Sequence, residues 1–216
     1  MTIDVTVVDY GLGNLFSVSR ALERAGAAVS ITDSPSGIHC ARRLVLPGVG
    51  AFRNGMQGLR SRQIVEQLRR YGASGRPLLG ICLGMQLLFE WGAEFGHHEG
   101  LGLLKGGVEA IPPTDVHGNP QKVPHIGWNE LFFASGRNTW ANTPLGDLEP
   151  GTAVYFVHSF TAGPADASDR LADCQYHGRM LSAAVARGAL FGCQFHPEKS
   201  GRAGLKILKS FLSLNQ

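Results

Sequence analysis

A chain of 216 residues, 44% of them hydrophobic, is long enough to bury one substantial core and too short for two large domains. Twenty Lys and Arg against 17 Asp and Glu give a net charge of +3, and the basic residues are scattered in pairs such as Arg42-Arg43 and Arg69-Arg70, which argues against the clustered basic face of a nucleic-acid binder. The four cysteines, at 40, 82, 174 and 193, have neither metal-site spacing nor the density of a disulfide scaffold, residues 1 to 8 lack the basic lead of a signal peptide, and no run approaches the roughly 20 apolar residues of a membrane span. The expectation is a single domain, residues 1–216, in the cytoplasm, with no metal, no cofactor, no membrane and no nucleic acid.

In chain order, Ile3 to Val8 reads as a strand, Asn14 to Ala25 as a helix with Leu15, Val18, Leu22 and Ala25 on one face, and Ala28 to Thr32 as a second strand. Between the first two lies Gly11-Leu-Gly13-Asn-Leu-Phe16, with Asp33 about 20 residues on, which invites a dinucleotide-binding reading. Phe16 stands where the third glycine would be, and that argues against it. Leu44 to Leu46 reads as the next strand, followed by a loop, Gly48-Val49-Gly50, and a helical segment from Ala51 to Arg70. Taken alone, Pro-Gly-x-Gly is an ordinary tight turn.

Leu78 to Ile81 forms a short apolar strand that runs into Cys82, then Leu83-Gly84 and a helical stretch through Glu90. Glycines at 80 and 84 flank the cysteine in the G-x-nucleophile-x-G pattern, with sulfur in place of a serine oxygen. They permit a sharp turn that lifts the thiol above the sheet at a helix N-terminus, where the dipole favours the anion. A buried, inert cysteine is the alternative, and it is the commoner fate of the residue type.

After Gly100 the strands come closer together, from Val108 to Phe133 and from Thr152 to Phe195, with turns at Val116-His-Gly-Asn-Pro120 and Tyr176-His-Gly-Arg179. Alternating strands and helices in the first half imply a three-layer α/β fold, a mostly parallel central sheet with helices on both faces. The second half is expected as a mixed or antiparallel extension of the same sheet. His97, His98, His117 and His177 fall in expected loops without the spacing of a helical zinc site. Residues 190 to 195 read as a buried strand ending in His196-Pro-Glu198, where the proline stops the strand and presents the histidine at its end. Gly201 to Leu214 closes the chain as an amphipathic helix. Thiol catalysis needs an imidazole to move the proton and an acid to hold its tautomer, and His196 and Glu198 supply both.

Cys82 within Gly-Ile-Cys-Leu-Gly-Met-Gln, His196-Pro-Glu198, and Leu46-Pro-Gly-Val-Gly-Ala-Phe52 together resemble the class I, triad-type glutamine amidotransferases. Asp9-Tyr-Gly-Leu-Gly-Asn-Leu15, Val123-Pro-His-Ile-Gly-Trp-Asn129 and Tyr155-Phe-Val-His-Ser159 are similar to the glutaminase subunits of imidazole glycerol phosphate synthases, and the likeness spans nearly the whole chain.

The resemblance implies a catalytic triad of Cys82, His196 and Glu198, and an oxyanion hole from the amides of Val49 or Gly50 and of Leu83, each such donor worth about 3 to 4 kcal/mol when well aimed. It implies glutamine contacts from Gln86, Glu94, Ser159 and Phe160, where family members often carry tyrosine at the last position. Glu94 is suited to the substrate's α-ammonium. Asn14, His125, Trp128 and Lys199 are implied at the partner interface or along an ammonia route. The partner implied is a separate cyclase subunit, a (β/α)₈ barrel, forming a heterodimer that uses the ammonia to make imidazole glycerol phosphate. Two other readings stay open: a glutaminase feeding pyridoxal phosphate or anthranilate synthesis, and a non-catalytic regulatory protein on the same fold.

Overall fold

The structure, a computed structural model, describes residues 3–214. The elements are β1 (Val5–Val8), α1 (Leu15–Arg24), β2 (Val29–Thr32), α2 (Pro35–Cys40), β3 (Leu44–Leu46), α3 (Phe52–Ser61), α4 (Val65–Gly72), β4 (Leu78–Ile81), α5 (Leu83–Gln86), β5 (Phe89–Gly92), β6 (His98–Glu99) and β7 (Leu104–Ala110). There follow β8 (His125–Glu130), β9 (Phe132–Phe133), β10 (Ala153–His158), β11 (Phe160–Pro164), β12 (Arg170–Tyr176), β13 (Arg179–Arg187), β14 (Leu190–Cys193) and α6 (Gly201–Ser213).

Four of these strands, β1, β3, β4 and β14, are buried at every residue, so each needs apolar cover on both faces. They lie in an eight-stranded sheet of order β2-β1-β3-β4-β14-β13-β12-β9, parallel from β2 to β14 and antiparallel beyond. Val5, Val7, Val45, Leu79 and Ile81 pack on one side with Val18 and Leu22 of α1 and with Ile207, Leu208 and Phe211 of α6. Leu44, Leu46 and Leu78 pack on the other with Met56 and Leu59 of α3, Leu68 and Tyr71 of α4, and Ile38 of α2. Alternate residues of one strand therefore serve opposite layers, which is the physical content of a three-layer α/β fold.

The structure revises several expected elements. The helix expected from Ala51 to Arg70 is two helices, because Gln63 takes a left-handed backbone (φ 57°) and Ile64 N–H returns to the Leu59 carbonyl at 3.2 Å. That is a helix-terminating 6→1 bond, and it turns Ile64 into the core. The helix after Cys82 ends at Gln86 rather than Glu90. Phe89, buried, and Glu90, exposed, instead begin β5, whose alternation was present in the sequence. Helix α2 was not expected, although Ser34 caps it from Oγ to Gly37 N and Pro35 opens it.

The second half is only partly an extension of the main sheet. Strands β9, β12 and β13 join it, whereas β11-β7-β5-β6 form a separate four-stranded sheet and β8 with β10 an antiparallel ribbon. Strands β4 and β14 are parallel neighbours in register, Ile81 against Cys193, so residues 82 and 194 leave the same carboxyl edge side by side.

Candidate active site

Cys82 has φ 53° and ψ −109°, a conformation that an L-residue holds only under constraint from its surroundings. Its amide donates to the Cys193 carbonyl at 2.7 Å, prolonging the β4–β14 ladder by one bond before the chain turns. The turn closes against backbone: a Cβ on Gly84 would run into the Leu46 carbonyl oxygen, and one on Gly80 would lie 2.7 Å from the Gly84 oxygen and the Met85 backbone. Gly84→Ala is therefore expected to destabilise the fold by about 3 kcal/mol or more, since the obstacle is main chain and cannot swing aside. A denaturant midpoint within error of the parent would contradict this.

His196 follows β14 in extended conformation, its amide donating to the Tyr155 carbonyl at 2.9 Å. Pro197 opens a single 3₁₀ turn, Pro197–Lys199, which folds Glu198 back so that Oε1 meets His196 Nδ1 at 2.7 Å. Both side chains are almost fully enclosed, at 2% and 3% exposure. Glu198 thereby fixes Nδ1 as the protonated nitrogen and leaves Nε2 without a hydrogen-bond partner. Burial pushes the imidazole down, but the Cys82 sulfur and the Glu198 carboxylate outweigh it and raise His196 to about 9. No formed hydrogen bond joins Nε2 to the sulfur, although both line the same cavity. Loose contact of this kind is usual before substrate binds.

One cavity of about 500 Å³ gathers nine of the expected residues: Val49, Gly50, Cys82, Leu83, Gln86, Glu94, Ser159, Phe160 and His196. Glu198 stands behind His196. The size suits a small amino acid. Val49 is 42% exposed at the rim and Gly50 has φ +107°, a backbone that only glycine adopts freely. Leu83 opens α5, where a first-turn amide lacks an intrahelical acceptor. Glu94 Oε2 accepts the Phe52 amide at 2.8 Å, so the carboxylate is anchored at the start of α3 while lining the cavity. The Phe160 carbonyl is engaged by Gln86 Nε2 at 3.3 Å and His158 Nδ1 at 2.8 Å, and the Ser159 carbonyl by the Ile111 amide at 2.8 Å.

The four residues expected at the interface or ammonia route do not line the cavity either. Asn14 caps α1, its Oδ1 accepting from Ser17 N at 3.1 Å. Trp128, 58% exposed, and Lys199 flank the Tyr155 ring at 6.1 and 5.9 Å, forming an outer cluster. His125 is buried, with Nδ1 2.9 Å from His158 Nε2 and its ring stacked on Phe156. Burial keeps His125 down near 4 and His158 down near 3, so both are neutral.

Among the histidines expected in solvent, His117 and His177 are exposed, while His98 belongs to β6 and is half-buried. Two residues went unremarked in the sequence. Gln194 is fully buried with Nε2 3.6 Å from the Cys82 sulfur, and Tyr10 is buried with an unpartnered hydroxyl beneath Gly48. For Gln194 a signal existed, because it lies two residues before His196 in the run the sequence marks as a strand, where alternate residues share a face. Among the described residues no cluster of His, Cys, Asp and Glu could hold a metal ion, and no helix is long and apolar enough to cross a membrane.

The family model described as glutamine amidotransferase class-I matches residues 6–214. The chain is 48% identical over 210 residues to imidazole glycerol phosphate synthase subunit HisH 1 of Legionella pneumophila (strain Lens), covering 97% of this chain and 99% of that protein. It is 44% identical to subunit HisH of Bacillus velezensis, covering 97% and 96%. Among solved structures it resembles a glutamine amidotransferase, with TM-score 0.71 and 19% identity over 97% of both chains. PurLQS from Thermotoga maritima superposes with TM-score 0.69 and 22% identity over 98% of both chains. These two likenesses concern the fold.

Proposed function

We propose, from the premise that this chain belongs to the glutamine amidotransferase class-I family, that residues 1–216 work as one glutaminase unit whose nucleophile is Cys82. It is the glutamine-hydrolysing subunit of an imidazole glycerol phosphate synthase, the synthase of which relatives at 44 to 48% identity are named as subunits. The observation that carries the site assignment is the meeting of Cys82, at the end of β4, with His196 and Glu198, after β14, in one cavity also lined by Glu94 and Gln86.

His196 Nε2 accepts the thiol proton, and the thiolate attacks the side-chain amide carbon of L-glutamine. The amides of Val49 or Gly50 and of Leu83 receive the oxyanion. Collapse breaks the C–N bond, the imidazolium protonates the departing nitrogen, and ammonia leaves a glutamyl thioester. Water then attacks as Nε2 takes its proton, and the sulfur departs to give glutamate. Glu198 holds Nδ1–H throughout.

His196 has its charge in full below its ordinary value of 6.5 and loses it as pH rises through about 9, a value that belongs to the Cys82–His196 pair. Above that pH no proton remains on Nε2 for the leaving nitrogen. The pH profile of kcat/KM for glutamine hydrolysis is therefore expected to hold to about 9 and fall beyond it. A fall that begins near 6.5 would contradict the raised value.

Ammonia released into neutral solution becomes ammonium and loses its nucleophilicity, so direct transfer to a second active site is favoured. The acceptor is a cyclase subunit, a (β/α)₈ barrel, in a cytoplasmic heterodimer. Trp128, Tyr155 and Lys199 form the patch we assign to docking, with Asn14 and His125 nearer the ammonia route. The exposed Val49-Gly50 segment is the part that partner and nucleotide rearrange to aim the oxyanion donors. Glutamate release by the lone chain is expected to be at least about 100-fold slower than by the assembled, nucleotide-bound enzyme, a coupling of common size. Full activity without partner rejects the gating, and co-purification with a different synthase rejects the subfamily assignment.

A further inference from the structure

Gln194 is fully buried beside the nucleophile, yet it has no place in the proton transfers between Cys82 and His196. Its backbone is fixed by the Gln194 amide donating to the Ala183 carbonyl at 2.9 Å. Its side-chain amide has only one consistent orientation. Gln86 Nε2 donates one hydrogen to Gln194 Oε1 at 2.9 Å and the other to the Phe160 carbonyl at 3.3 Å, which can only accept. Oxygen therefore faces Gln86, and Nε2–H faces the Cys82 sulfur at 3.6 Å, a normal length for a hydrogen bond to sulfur. The Phe160 carbonyl is itself held by His158 Nδ1–H, whose ring accepts at Nε2 from His125 Nδ1–H. Each donor in this chain has its acceptor, so the amide cannot turn over without orphaning a buried group.

We propose that Gln194 is a catalytic residue whose side-chain N–H donates to the Cys82 sulfur, stabilising the thiolate before attack and again when the sulfur leaves the thioester. The inference rests on the proposed reading only in taking Cys82 as the nucleophile. Other groups lie near the sulfur: His196 with Glu198 behind it, Cys193 from β14, Tyr10 beyond β1, and Glu94, which lines the same cavity. Cys193 directs its S–H to the Gly80 carbonyl at 3.7 Å, and burial raises both Cys193 and Tyr10 so that they stay neutral. Glu94 can only repel the thiolate. Among the described residues Gln194 is thus the side chain whose N–H is bonded to the sulfur; His196 presents an N–H there only when its ring is charged, whereas the amide keeps its proton at every pH. A donor held on the charged form lowers the proton affinity of the sulfur, and a weaker base is also the better leaving group.

The test measures the rate of Cys82 alkylation by iodoacetamide against pH in the full chain, scored by peptide mass. It needs no glutamine, so its outcome is separate from that of the proposed function. Gln194→Met removes the donor, and Gln194→Glu keeps an oxygen for Gln86 while losing the donor. Both are expected to move the midpoint of alkylation up by about one unit or more, the size of a lost hydrogen bond to a charged group. A midpoint unchanged in Gln194→Met overturns the proposal, even if Gln194→Glu shifts by its charge. Should the variants fail to fold, the unaltered chain decides. The side-chain amide resonance of Gln194 is expected to titrate with the Cys82 midpoint and to stop doing so in Cys82→Ala. A resonance that ignores the ionisation of Cys82 overturns the proposal equally.

Discussion

Cys82→Ala is expected to abolish glutamate release, lowering it by at least about 10⁴-fold, because members of a triad act as a unit and loss of the nucleophile forfeits nearly all of their joint effect. Cys82→Ser should be almost as inactive: its hydroxyl ionises far less readily, and the hydrogen bond from Gln194 at 3.6 Å is set for sulfur. Neither change should unfold the protein, since the strain at φ 53° resides in the backbone and both replacements are smaller than the thiol. In the assembled synthase the loss must be confined to glutamine. Synthesis fed with ammonium should continue in both variants, since that nitrogen bypasses the cavity. Two assays on one preparation check this, glutamate release and ammonium-dependent product formation. An alanine variant that deamidates glutamine within about tenfold of the parent would remove Cys82 from the mechanism.

Glu198→Gln should have the second largest effect. The carboxylate is 3% exposed and bonded at 2.7 Å to Nδ1, so the isosteric amide fits the same space while changing what it offers the ring. An amide presenting N–H toward Nδ1 favours the tautomer protonated at Nε2, which cannot accept the thiol proton, and it withdraws the charge that supports the imidazolium. A loss of about 10² to 10⁴ in kcat is expected, with little change in KM because Glu198 does not line the cavity. The alkaline limb should also move from about 9 toward the ordinary histidine value. Steady-state kinetics against pH separate this from a merely structural effect, which would lower activity without moving the limb. Combined with Cys82→Ala, the substitution should add almost nothing, as expected for groups acting through one another.

Several features could be read from residues alone because they are local. Glycines at 80 and 84 around a cysteine, after a four-residue apolar strand, specify an elbow by what they lack, and the structure shows main chain crowding both positions. A strand halted by Pro197 with an acid one residue on specifies a histidine and carboxylate pair, since a tight turn brings positions 196 and 198 together whatever surrounds them. The same reasoning failed where local pattern competes with packing. The apolar spacing from Ala51 to Arg70 suits one long helix, and it is the burial of Ile64 that breaks it at Gln63. Helical reading of Leu87 to Glu90 lost to β-pairing with Leu104 and the residues after it, a partnership visible only in space.

By itself, then, the sequence determined the sharp turn at Cys82, the paired imidazole and acid, and the succession of strands and helices that makes a covered parallel sheet, all properties of short-range backbone geometry and side-chain period. The tertiary structure alone decided that β14 lies against β4, bringing residues 112 positions apart into contact, that Glu94 reaches the start of α3, and that Gln194 donates to the sulfur. Strand order is chosen by how whole layers bury their apolar faces together, and no local run of residues records that choice.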